Sequence, residues 1–102
     1  MKTHLYIKSP ADGLQLKTLV LCGNEKPKAA VLFIHGLCGK IERMLPTMNH
    51  FADEGYACIG FDMRGHGDSI KAEEDRGYTY HGGSKAMTED IRAVIGWIEN
   101  NF

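Results

Sequence analysis

Two uninterrupted apolar runs constrain this chain more than anything else in it. Ala29-Ala30-Val31-Leu32-Phe33-Ile34 and Ala57-Cys58-Ile59-Gly60-Phe61 show no polar alternation. That is the pattern of strands covered on both faces, as parallel strands in α/β proteins are. Roughly twenty residues separate the runs, the length a crossover helix needs to return the chain parallel to its first strand. The helix is predicted over residues 44–54. Leu45, Met48, Phe51 and Ala52 recur at helical spacing, Pro46 suits the first turn, and Gly55 stands where a left-handed residue ends a helix. The first run is therefore expected as a central parallel strand beside the second.

Upstream, Leu5 and Ile7 alternate with Tyr6 and Lys8, Ser9-Pro10-Ala11-Asp12-Gly13 reads as a turn, and residues 14–20 alternate again. This predicts an antiparallel hairpin with one face buried. Residues 63–83 are polar and aperiodic, a loop with at most one short turn. A last helix follows, with Met87, Ile91, Val94, Ile95 and Ile98 in one stripe flanked by Trp97. Ser84 suits its N-cap, and Glu89 and Asp90 are expected near the positive end of its dipole. Met44, Met48 and Met87 fall on helix core faces, as packing residues.

Composition narrows the classes. Over 102 residues, 43% hydrophobic and 25% charged are globular proportions for one domain or part of one. Twelve basic against thirteen acidic residues give a net charge of −1, with no basic excess for nucleic acid or anionic lipid. Cys22, Cys38 and Cys58 form an odd count without a Cys-x-x-Cys pair, which argues against a disulfide framework or a thiolate zinc site and for free thiols in a reducing cytosol. No run approaches the ~20 apolar residues of a membrane span, and Leu5-Tyr6-Ile7 is too short for a signal-peptide core. A cytoplasmic protein is expected.

Chemistry in open α/β sheets gathers beyond the C-terminal ends of the parallel strands. Two loops lie there: His35-Gly36-Leu37-Cys38-Gly39, and Asp62-Met63-Arg64-Gly65-His66-Gly67-Asp68-Ser69. His35 and His66 with Asp62 could in principle hold a metal, but ligand spacing on one element is missing, and hydrogen bonding between the loops is the expected role. Arg64 and Asp68 are expected in loop-stabilising ion pairs or solvated rather than on a substrate. Ser69 is expected to bond backbone groups, and Cys38, with no base to activate it, to be an unreactive thiol.

Together these residues resemble the N-terminal part of an α/β-hydrolase, of the monoacylglycerol-lipase, lysophospholipase and serine-aminopeptidase-like branch. The pairing of His35-Gly36 with Asp62-x-Arg64-Gly65-His66-Gly67-x-Ser69 carries the likeness, and Asp12-Gly13-Leu14 and Asp90-Ile91 extend it over nearly the whole chain. The resemblance implies a three-layer α/β fold, here incomplete: the N-terminal half of the sheet, with an antiparallel hairpin, two parallel strands and two helices. It also implies acyl transfer by a serine nucleophile with His and Asp, an oxyanion hole of two backbone N–H groups, and no cofactor or metal. Carried over by position, one oxyanion donor is the N–H of Leu37. Gly36 allows the turn there, His35 braces it, and Asp62, Arg64, Gly65, His66, Gly67 and Ser69 support the loops.

The nucleophile of such enzymes stands in a Gly-x-Ser-x-Gly elbow after the fifth strand. Gly82-Gly83-Ser84-Lys85-Ala86 nearly matches, but no apolar run leads into it, and Ser84 is read as a helix cap. A complete core, at ordinary element and loop lengths, needs more than about 200 residues. The 102 residues are thus expected to form a single partial domain ending before the elbow, inactive alone. Ester, lipid and peptide substrates stay open, and any of them would require a C-terminal half. In the family's sheet order the strand over 29–34 also pairs with a later strand, so a hydrophobic parallel edge should be exposed. That predicts self-association or docking of a complementary half. The other reading is a catalytically silent domain that binds a partner through the same edge.

Overall fold

The chain runs β1 (Lys2–Lys8), β2 (Gln15–Leu21), β3 (Ala30–Ile34), α1 (Leu45–Asp53), β4 (Ala57–Phe61) and α2 (Gly83–Asn101). The computed structural model describes residues 2–23, 26–36, 39–80 and 82–102. A 3₁₀ turn, Ile41–Met44, leads into α1, and a second, Glu73–Asp75, interrupts the long loop after β4. Pro46 sits in the first turn of α1, and Gly55 follows its C-cap with φ of 98°.

The four strands form one sheet in the order β1-β2-β4-β3. The β1–β2 hairpin is antiparallel, with Thr3 opposite Val20 and Ile7 opposite Leu16; β2 continues antiparallel to β4, and β3 lies parallel to β4 with Leu32 opposite Ile59. Side-chain alternation along the strands divides the core into two layers. Leu16, Val20, Ala57, Ile59 and Phe61 face α2 and meet Val94, Ile91 and Ile98. Leu19, Leu21, Cys58 and Phe33 face α1 and meet Met48 and Ile41. Helix, sheet and helix make three layers, the arrangement expected of an α/β fold.

The structure departs from the expectations in four places. β3 is parallel but stands at the sheet edge, with Ile34 43% exposed, while β4 fills the interior position and is buried throughout. β2 is buried on both faces rather than one, because α1 and the turn before it cover Leu19 and Leu21 while α2 covers Leu16 and Val20; Thr18 tolerates this by donating its hydroxyl to the Leu16 carbonyl at 3.1 Å. Ser84 does not cap α2. The cap is Gly82, whose carbonyl accepts from the N–H groups of Lys85 and Ala86, and Ser84 lies exposed in the first turn. Consequently Glu89 and Asp90 sit well inside the helix, beyond the reach of its N-terminal dipole. Ile95, expected in the apolar stripe, is 42% exposed, because the buried stripe is centred on Ala86, Asp90 and Val94.

Candidate functional site at the ends of β3 and β4

Parallel pairing of β3 with β4 brings both motif loops to one end of the sheet, where side chains of one bond the backbone of the other. His35, buried at the end of β3, accepts the Met63 N–H on Nε2 at 2.9 Å. In the neutral ring the proton then belongs to Nδ1, which donates to the Gly36 carbonyl at 2.7 Å. Asp62, buried at the end of β4, reaches the other way. Its Oδ1 accepts the Ile41 N–H at 2.8 Å and its Oδ2 the Asp68 N–H at 3.0 Å. Ser69 bonds backbone, as expected: its hydroxyl donates to the Asp62 carbonyl at 2.5 Å and accepts the Lys17 N–H at 2.9 Å. His66 is buried with Nδ1 3.1 Å from the Arg64 carbonyl, its ring 5.2 Å from that of His35.

Two glycines make this interlocking possible. Gly65 and Gly67 adopt φ of 78° and 50°, and a Cβ at either would collide, with the Tyr78 carbonyl and the Asp62 carboxylate respectively. The spacing Arg64-Gly65-His66-Gly67 therefore reflects how tightly the loop wraps around Asp62.

Arg64 is neither solvated nor on the surface. Its side chain is fully buried and forks onto two carboxylates: Nε and Nη2 donate to Asp90 at 2.7 and 3.1 Å, Nη1 and Nη2 to Asp12 at 2.9 and 3.1 Å. Nη2 also reaches the Ser9 hydroxyl and Nη1 the Thr79 carbonyl, each at 3.1 Å, so its five N–H donors are all engaged. One guanidinium thus ties the β1–β2 turn, the loop after β4 and α2 together, and holds Asp12 down from its ordinary 3.8 to about 2. The sequence reading assigned neither Asp12 nor Asp90 to this cluster. The signal was available in Asp90, one turn from both Ala86 and Val94 on the core-facing stripe, where a carboxylate requires a buried cationic partner. Asp68, on the surface, pairs with Lys17 at 3.0 Å.

A cleft of about 370 Å³ opens beside the loops, lined by Lys40, Arg43, His66 and Arg76 together with Gly39, Gly65, Gly67 and Gly77. A second hollow of about 280 Å³, lined by Ile34, His35, Gly36 and Met44, shares Gly39, Lys40 and Arg43 with it. Gly36 is exposed at this mouth; Leu37 and Cys38, the expected oxyanion donor and thiol, lie outside the described residues. Among the described residues no three His, Cys, Asp or Glu side chains converge as metal ligands, and no helix is long and apolar enough to cross a membrane.

A mixed sheet between helices, with cross-braced loops at the ends of its parallel strands, is the architecture of the N-terminal half of an α/β-hydrolase. The chain belongs to the family described as serine aminopeptidase, S33, whose model matches residues 25–102. It is 38% identical over 90 residues to an uncharacterized 31.7 kDa protein of the traX-finO intergenic region in Escherichia coli, covering 87% of this chain and 29% of that one. Human protein ABHD8 is 28% identical over 79 residues, 78% of this chain and 17% of its own length. Among solved structures, a thermostable carboxyl esterase from Bacillus coagulans superposes with a TM-score of 0.87 at 21% identity, over 98% of this chain and 32% of that one. An epoxide hydrolase from Vigna radiata does so with 0.73 at 19%, over 96% and 29%. The chain thus spans less than a third of each of these proteins, and the 19–21% identities to the two solved structures speak for the fold alone.

Proposed function

We propose that these residues are the N-terminal part of a serine hydrolase cleaving an ester, lipid or peptide acyl bond, and that they carry one side of its oxyanion hole. The observation behind this reading is the bracing of the loop after β3. His35 and Asp62 fix it to the loop after β4 on both flanks of residues 37 and 38, through bonds of 2.9 and 2.8 Å, and His35 also holds the Gly36 carbonyl of its own loop at 2.7 Å. A backbone donor on such a loop is set before the substrate arrives, so it stabilises developing negative charge without reorganising; loss of one donor of this kind costs about 3 kcal/mol of transition-state stabilisation. In this reading the Leu37 N–H is that donor, and Gly36 gives the backbone its turn. Three of the described polar side chains at the strand ends are already committed. Both nitrogens of His35, both carboxylate oxygens of Asp62 and the Ser69 hydroxyl bond backbone groups, and exposed Ser84 has no strand leading to it. Nucleophile, general base and acid would therefore come from a further segment, and no cofactor enters the chemistry.

A fluorophosphonate probe tests this. The 102-residue chain alone should stay unlabelled, and a protein in which it is joined to a downstream segment encoding Gly-x-Ser-x-Gly, Asp and His should label at that serine. Labelling of the short chain that vanishes in Ser84→Ala would overturn the assignment. A second reading, a catalytically silent domain that binds a partner or a complementary half, is favoured by the exposed edge of β3 at Ile34; absence of any downstream frame with those motifs would select it. We place the protein in the cytoplasm, a reading supported by Cys22 and Cys58, which share no disulfide.

A further inference from the structure

The cleft beside the two loops is walled by cations, although the chain as a whole carries a net charge of −1. Lys40 and Arg43 approach from the segment leading into α1, Arg76 from the far end of the loop after β4, with buried His66 between the loops. Among the described residues no carboxylate lines the cleft, and of those nearby in the chain Asp62, Asp68 and Glu42 are engaged away from its walls, while Glu73 pairs with Arg76. Asp68 and Glu42 pair with Lys17 at 3.0 and 3.7 Å, and both Asp62 oxygens accept backbone N–H groups. Glu73 takes Nε and Nη2 of Arg76, leaving Nη1 to donate to the Gly67 carbonyl at 2.7 Å. Lys40 has no ion pair among the described residues. Backbone of Gly65 and Gly67 also lines the cleft, each glycine packed against protein on the side a Cβ would take. At about 370 Å³ the cleft has the size of a small-molecule site rather than of a single water.

We propose that this cleft binds a compact oxyanion, a phosphate or a carboxylate, with Lys40 as a point charge and Arg76 as a planar donor through the N–H groups that Glu73 and Gly67 leave over. The chemistry is charge-assisted hydrogen bonding, which both oxyanions accept and which a neutral alcohol or amide does not reproduce. Because Lys40 and Arg76 are exposed, the affinity falls as salt rises. The proposal concerns binding by this chain alone and does not depend on the acyl-transfer reading.

Inorganic phosphate and acetate, titrated separately into the full chain at constant ionic strength made up with chloride, distinguish the sources when backbone amides are followed by NMR. Saturable shifts are expected at Lys40, Gly65, His66 and Gly67. Saturation by phosphate alone assigns a phosphate ester, and saturation by acetate alone or by both assigns a carboxylate-tolerant site. Lys40→Met combined with Arg76→Met should weaken binding about tenfold or more. Lys40→Arg should retain it, and Lys40→Glu should abolish it on an unchanged, dispersed spectrum. Linear shifts for both anions, shifts confined to other regions, or wild-type affinity in Lys40→Glu would overturn the proposal.

Discussion

Arg64 is the residue on which most of the molecule's polar interior depends. A buried cation forked onto two carboxylates gains little over an apolar packing of the same space, but removing one member leaves the others charged and unpaired. Arg64→Met should therefore lower unfolding free energy by about 3–5 kcal/mol in urea titrations, whereas Arg76→Ala, which breaks the exposed pair with Glu73, should leave the midpoint unchanged. Asp12 extends the same cluster to pH. The Arg64 guanidinium holds its carboxyl at about 2 against 3.8 in the unfolded chain, so the folded state binds the proton less readily. The stabilisation, cut by solvent screening at exposed Asp12 to about 1 kcal/mol, is fully present above pH 4 and is lost as pH falls from there through 2. Asp12→Asn should be less stable than wild type at pH 7 and converge with it near pH 2, measured as urea midpoints across that range. Parallel curves for the two proteins would show that Asp12 is not held by Arg64.

At the scale of elements, the two loops act as one because each is bonded to the other's strand. Gly67→Ala places a methyl group against the Asp62 carboxylate at φ of 50° and should cost about 1–3 kcal/mol of stability. Asp62→Asn should cost a similar amount, since its amide would turn a donor toward the Ile41 or Asp68 N–H. Amide exchange should quicken at Ile41 and Asp68 first, and uniform quickening across the sheet would contradict the local role. These elements were largely legible in the sequence. The apolar runs over 29–34 and 57–61 became parallel strands, the periodicity over 44–54 became a 3₁₀ turn running into α1, and the loops met where strand topology puts them. What was not legible follows from partners distant in the chain. β2 gained a second buried face because α1, more than twenty residues on, packs over Leu19 and Leu21, and Arg64 found carboxylates 52 residues before it and 26 after. Ser84 misled for a local reason. Gly82 can take the left-handed conformation that starts α2 two residues earlier, and a capping propensity counts only where the backbone places the residue at the cap.

For the molecule as a whole, the sheet is asymmetric in how its edges are protected. β1 ends the sheet with alternating Lys2, His4, Tyr6 and Lys8 on its exposed face, polar or charged groups of the kind that discourage pairing with another chain. β3 ends it with Ala30, Val31, Leu32, Phe33 and Ile34, a run without a single polar side chain and hydrogen-bonded on one side only. Beside the start of β3, a hollow of about 600 Å³ lies between Pro27, Ala29, Ala30, Ile98 and Phe102, with Glu99 and Asn101 also on its wall, and Phe102 is 48% exposed. An apolar parallel edge next to a largely apolar hollow is the surface a further strand and its neighbouring layer would cover, and the matched esterase and the Escherichia coli relative are about three times as long. The isolated chain should meet this need with a second copy. Sedimentation at tens of micromolar is expected to show reversible self-association, weakened in Ile34→Lys, which puts a charge at the exposed end of the edge without disturbing the buried core. Tyr6→Lys, on the already polar edge, should leave the association unchanged. A wild-type chain that sediments as a monomer and unfolds cooperatively would mean that β3 needs no cover, and that the sheet of four strands is stable with its apolar edge in water.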